Sequence, residues 1–158
     1  MNNESLPRNL RNNNPLNLRR TRDKWQGLST QQQDREFCQF EDMKYGWRAA
    51  FMLLCRNYYY VHHLHTIRAI IDRWAPSHEN NTSAYVDTVS RWMKYDAEAP
   101  MPLPGQGAGR WLQLGYCMAC YEAGLSPQRN GRIELLPLVE GWMLYEDVAR
   151  KGKFKDER

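Results

Sequence analysis

Thr66-Ile67-Arg68-Ala69-Ile70-Ile71-Asp72-Arg73-Trp74-Ala75-Pro76 reads as one helix with both of its ends written into the sequence. Ile67, Ile70, Ile71 and Trp74 recur at i, i+3, i+4 and i+7, the spacing that gathers apolar side chains on one helical face. Thr66 offers a side-chain oxygen to the first turn, and Pro76 stops the run because it has no amide to donate. The same period continues outward. Upstream, Trp47, Ala50, Phe51 and Leu54 place a helix from about Asp42 to about Tyr60. Downstream, Tyr85, Val86, Val89, Trp92 and Met93 form the buried stripe of a helix that starts near Asn81 or Thr82. A connector rich in Pro and Gly follows over 96–108 and includes Pro100, Pro102, Pro104 and Gly105. Beyond it, a helix from about Arg110 to Glu122 ends at Gly124, and a last one spans Leu135 to Ala149.

Residues 1 to about 35 are polar, rich in Asn and Arg, and interrupted by Pro7 and Pro15. The short apolar points Trp25, Leu28, Phe37 and Phe40 predict a small β-hairpin near the N-terminus. The expected fold is therefore mainly α with that hairpin, in a single domain over 1–158 whose ends, 1–8 and 151–158, are loose. With 158 residues, 42% of them hydrophobic, six Trp and nine Tyr, the chain has ample material for a packed core, which excludes a disordered protein.

The net charge of +4 owes much to Arg8, Arg11, Arg19, Arg20, Arg22 and Lys24. Such a balance suits an anionic partner, but no nucleic-acid-binding motif accompanies it, so no nucleic-acid partner is expected. Cys38, Cys55, Cys117 and Cys120 fall within apolar stretches and read as buried free thiols of a reducing compartment. No apolar run approaches the roughly 20 residues of a membrane span, and no basic start leads into an apolar run, so neither a membrane partner nor a signal peptide is expected.

The segment Arg11-Asn12-Asn13-Asn14-Pro15-Leu16-Asn17-Leu18-Arg19 presents paired donors and acceptors suited to a polar ligand such as a sugar. The plainer reading is that Asn12, Asn13 and Asn14 build a turn before Pro15. His62, His63, His65 and His78 lack the spacing of a metal site, and Cys117 and Cys120 have no second pair to complete one, so no metal or cofactor is expected. Gly105-Gln106-Gly107-Ala108-Gly109 follows prolines rather than a strand, which makes it a hinge and not a dinucleotide loop. Tyr58, Tyr59 and Tyr60 could stack on bases or sugars, but at the end of an apolar helix they read as partly core.

The Asn-rich segment resembles a signature of phage and prophage virion-associated structural proteins of lysozyme-like character, whose usual form is Arg-Asn-Asn-Asn-Pro-Gly-Asn-Ile-Arg; Leu16 stands where Gly is usual. Thr66 to Pro76, then Glu79-Asn80-Asn81-Thr82, Tyr85 and Val89 resemble the second signature of the same family, so the likeness covers roughly residues 8 to 124. More distantly, Asn13-Asn14-Pro15-Leu16-Asn17-Leu18 followed by Phe37-Cys38-Gln39-Phe40 is similar in order to bacterial glucosaminidases of the lysozyme superfamily. In those enzymes the helix that ends in the catalytic Glu precedes the Asn motif. Here the comparable ending, Cys117-Met118-Ala119-Cys120-Tyr121-Glu122-Ala123-Gly124, comes after it, in a permuted order.

The resemblance implies a lysozyme-like helical domain that cleaves the glycan strands of peptidoglycan as a hydrolase or lytic transglycosylase. The alternative is a non-catalytic virion or wall-binding module on the same scaffold. Such chemistry needs a carboxylic acid to protonate the leaving oxygen, and usually a second carboxylate. Glu122 and Glu79 are the candidate acids, while Asp34, Glu36, Glu41 and Asp42 compete for the second role. Asn12, Asn13, Asn14, Asn17, Arg19 and Asn80 are the candidate substrate-binding residues. The implied partners are glycan strands and other virion proteins. The implied setting is a chain made in the bacterial cytoplasm, then carried in a virion or released to the wall.

Overall fold

Apolar residues at helical spacing do form helices in the computed structural model, which describes residues 6–78, 81–129 and 132–152. In chain order they are α1 (Arg8–Arg11), α2 (Met43–Phe51), a π-helical continuation of α2 (Met52–Val61), α3 (Ile67–Trp74), α4 (Thr82–Met93), α5 (Ala108–Ala123) and α6 (Leu135–Arg150), with a 3₁₀ turn at Pro127–Arg129. The fold is mainly α, as the periodicity predicts. None of the helices among the described residues is long and apolar enough to cross a membrane.

The predicted cap at Thr66 is in place, and the expected helix starts at Asp42 and Asn81 are capped as well. Thr66 accepts from the amide of Ala69 at 3.1 Å, Asp42 from that of Lys44 at 3.0 Å and Asn81 from that of Ala84 at 3.2 Å. Gly124 takes φ 71° and closes α5, with the Leu125 amide reaching back to the Cys120 carbonyl. Two features escape the sequence reading. Arg8 begins a short helix instead of belonging to a loose end, and the second half of the α2 helix widens to π geometry.

The predicted hairpin is reduced to isolated antiparallel bridges, Arg19 with Phe37 and Leu28 with Phe40, and no strand forms among the described residues. Side chains take the amides that a ladder would use. Gln32 accepts from the Gln39 amide, Gln39 from those of Gln33 and Asp34, and Asp34 from those of Glu36 and Phe37. Asp34 also binds Arg8 through two bonds of 2.7 Å, and that guanidinium, helped by the donors from Phe37, Asn12 and Glu36, holds its carboxyl well below the usual range against the opposing effect of burial.

Trp47, Phe51 and Trp111 are fully buried at the centre. Phe51 stacks on Trp47 at 5.7 Å and meets the edge of Trp142 at 4.9 Å, joining α2 to α6. The two helices approach closely at Gly141, where a methyl group would lie 2.3 Å from Trp47 Cβ and 2.8 Å from the Lys44 carbonyl oxygen. All four cysteines are free and buried.

Two outcomes follow from this packing. Gly141→Ala gains roughly 1 kcal/mol of helix propensity. It meets a backbone oxygen that cannot move aside, and overpacking costs about 1–3 kcal/mol, so denaturant titration should show a net loss. Asp34 has a lowered pKa in the folded state. Its stabilisation is therefore complete above the ordinary value of 3.8 and drains away as pH falls below it. Asp34→Asn should cost about 1–2 kcal/mol at neutral pH and flatten the acid limb of the stability profile.

Candidate functional site

The Asn-rich turn brings the N-terminal segment against the end of α5. Asn13 and Asn17 take left-handed backbone, φ 52° and 55°, which Asn tolerates better than most residues. Asn9 is buried and donates to the carbonyls of Pro15 and Ala119, pinning α1 to α5. The turn thereby aims Asn17 across 105 positions of sequence at Glu122, to whose Oε1 it donates at 2.8 Å.

Glu122 sits in the last turn of α5, half-buried. The Tyr85 hydroxyl donates to its Oε2 at 2.9 Å, and the Trp74 side chain also hydrogen-bonds it. Burial pushes the Glu122 carboxyl up, against the opposing pull of these donors and of Arg19. The negative end of α5 acts in the same sense as burial. Tyr85, itself buried beside that carboxyl, is pushed well up and stays a hydroxyl donor.

Glu122 opens into a cleft of about 310 Å³. Trp25, Phe37, Leu53, Tyr58 and Trp74 supply its aromatic and apolar wall, and Asn17, Arg19, Thr21 and Asp23 its polar one. Trp74 meets the edge of Tyr58 at 6.2 Å, while the Arg73 guanidinium lies over the Tyr58 ring, 5.6 Å from its centroid. Leu53 and Tyr58 are five residues apart and both face the cleft. In an α-helix they would point about 140° apart, whereas the i→i+5 bonding of the π-segment brings such positions into line.

The sequence-predicted residues divide accordingly. Asn17, Arg19 and Glu122 come together at the cleft. Asn12, Asn13 and Asn14 do not line it, because their carboxamides are spent inside the protein. Asn12 bonds Asp34 and Gln39, Asn13 the Phe40 carbonyl, and the fully buried Asn14 the Leu18 and Cys38 carbonyls. They build the turn, as the plainer reading had it. Glu79 and Asn80 lie outside the described residues. Among the candidate second carboxylates, Asp34 is held by Arg8, Glu36 pairs with Arg8 and Arg19, and Asp42 caps α2. Neither these nor Glu41 lines the cleft, whereas Asp23, which the sequence did not single out, does. Its only local signal was the Thr21-x-Asp23 turn, in which the Thr21 hydroxyl bonds Asp23 at 2.9 Å.

The second signature segment is also partly structural. The Thr82 hydroxyl donates to the Ala75 carbonyl and closes the loop after α3, leaving Trp74 and Ala75 on the cleft wall. His65 packs on Tyr59 at 4.4 Å, and His63 takes φ 57° in the loop beyond the π-segment. The described residues contain no group of three or more His, Cys, Asp or Glu arranged to hold a metal.

No protein-family model matches the chain. Over 86 residues it is 40% identical to Protein P5 of Pseudoalteromonas phage PM2, covering 52% of this chain and 53% of that protein. The match thus spans about half the length of the curated relative. The likeness to a phage protein is in keeping with the expectation drawn from the two signatures.

The hydrogen bonds to Glu122 stabilise its ionised form, so removing one should raise its pKa further. Carbon-detected NMR titration of the Glu122 carboxyl should place its midpoint above that of exposed glutamates, and Tyr85→Phe should move it higher still. An unshifted midpoint in both proteins would show that burial does not govern this group.

Proposed function

We propose that this chain is a phage-associated, peptidoglycan-directed enzyme that cleaves glycan strands in the Glu122 cleft, with Glu122 as general acid. The observation that carries the reading is a carboxyl pushed toward its protonated form by burial while opening into a cleft walled by Trp25, Trp74 and Tyr58. A carboxyl that keeps its proton nearer neutral pH can pass it to a glycosidic oxygen. Flat aromatic faces suit the apolar faces of pyranose rings, and Asn17, Arg19 and Thr21 suit their hydroxyl and acetamido edges.

In this reading the strand lies along the cleft with its scissile oxygen at Glu122. Proton transfer releases the leaving sugar and leaves positive charge at the anomeric carbon. Asp23 is the other carboxylate on the cleft lining, and it serves as the base that activates water if the outcome is hydrolysis. Phage association is supported by the partial identity with Protein P5 of phage PM2.

A second reading, a non-catalytic wall-binding or virion module, is favoured by one observation. Both oxygens of Glu122 already accept bonds from within the protein, which is also how a purely structural carboxyl is held. The two readings part on turnover. Purified protein incubated with isolated peptidoglycan should release soluble muropeptides, and Glu122→Gln should slow that release by at least about 100-fold while keeping its helical circular dichroism. Binding to the same material without any release by the wild-type chain would favour the module and defeat the enzyme.

A further inference from the structure

Glu122 borders two hollows. Its Oε1 is held by Asn17, which lines the large cleft, and its Oε2 by Tyr85, which lines a smaller hollow of about 170 Å³ together with Asn81 and Tyr121. Glu122 is the one described residue common to both linings. The carboxyl therefore stands as a partition, with one oxygen tied on each side.

We infer that the smaller hollow is a second sugar-binding subsite, which takes one neutral N-acetylhexosamine unit beyond the bond that Glu122 protonates. The inference rests on the glycan-cleaving reading above and extends it to an internal cut, since a strand gripped on both sides of the acid is cut within its length.

The chemistry of the lining fits such a unit. Tyr121 stacks on Tyr85 with ring centroids 4.0 Å apart and planes 23° off parallel. Tyr85 is buried and fixed by its bond to Glu122, so Tyr121 is held as a firm, partly exposed aromatic wall. Asn81 is exposed and anchored by its cap to Ala84, which presents a carboxamide able to donate and accept at a fixed place. Among the described residues that line the hollow, Glu122 is the one carboxyl, and there is no Lys or Arg. That composition suits an uncharged ring with hydroxyl and acetamido edges, and it is ill suited to the carboxylates of a peptide stem.

The test uses the full chain carrying Glu122→Gln, so that binding is read without turnover. Its ligands are the disaccharide, tetrasaccharide and hexasaccharide of β-1,4-linked N-acetylglucosamine, followed by calorimetry. Affinity should rise with length. Adding Tyr121→Ala should weaken the hexasaccharide by about tenfold and leave the disaccharide unchanged. Asn81→Ser, which keeps a capping oxygen for α4, should act in the same direction and guards against misfolding of the Tyr121 variant. If both variants fold and keep the full length dependence, the second subsite is overturned while the cleft reading stands. If no oligosaccharide binds at all, the cleft reading falls and the subsite with it.

Discussion

The side chain of Asn14 is the constraint on which the N-terminal third is built. It is fully enclosed, and a carboxamide stripped of water without partners would be costly by about 1–3 kcal/mol for each group left unmet. Asn14 meets that demand by donating to the Leu18 and Cys38 carbonyls and accepting from the Leu18 amide. Three points of the chain are thereby held at one place. The left-handed turns at Asn13 and Asn17 are possible because of that clamp, and the reach of Asn17 to Glu122 follows from it. An apolar residue at position 14 would fill the space and take the side-chain partner from the Leu18 amide and the Cys38 carbonyl, while the Leu18 carbonyl would keep the Cys38 amide.

Around this clamp the protein treats two carboxyls in opposite ways. Asp34 is surrounded by donors, including a bidentate guanidinium, and is held ionised as a structural pin between α1 and the loop that follows. Glu122 has donors too, but burial outweighs them and favours the proton. The difference lies in the charge of the donors: a cation rewards ionisation far more than a neutral amide or phenol does. One carboxylate therefore secures the scaffold, and the other keeps chemical potential at a cleft.

Local pattern made most of the fold legible. Caps at Thr66 and Asn81, the stop at Pro76 and the end at Gly124 are written within a turn or two of where they act. The hairpin was misread because Gln32, Asp34 and Gln39 compete for its amides, and that competition depends on how those side chains fold back. At the site, Glu122 was legible as a carboxyl at an apolar helix end. Its partners Asn17, Tyr85 and Trp74 lie 105, 37 and 48 positions away, so only tertiary packing unites them. The Asn cluster was legible as special, but composition does not reveal which amides turn inward. Asp23 gave no signal of facing a cleft.

The π-segment ties the shape of the cleft wall to the winding of one helix. Because Leu53 and Tyr58 share a face under i→i+5 bonding, the hydrogen-bond pattern between Met52 and Val61 decides which side chains reach the cleft. Were the same residues to take ordinary helical bonding at unchanged length, Tyr58 would swing away from Leu53 and from Trp74. The aim of Tyr58 is thus set by the pitch of the backbone, and a change of pitch alone, with no change of sequence, would refocus that wall of the cleft.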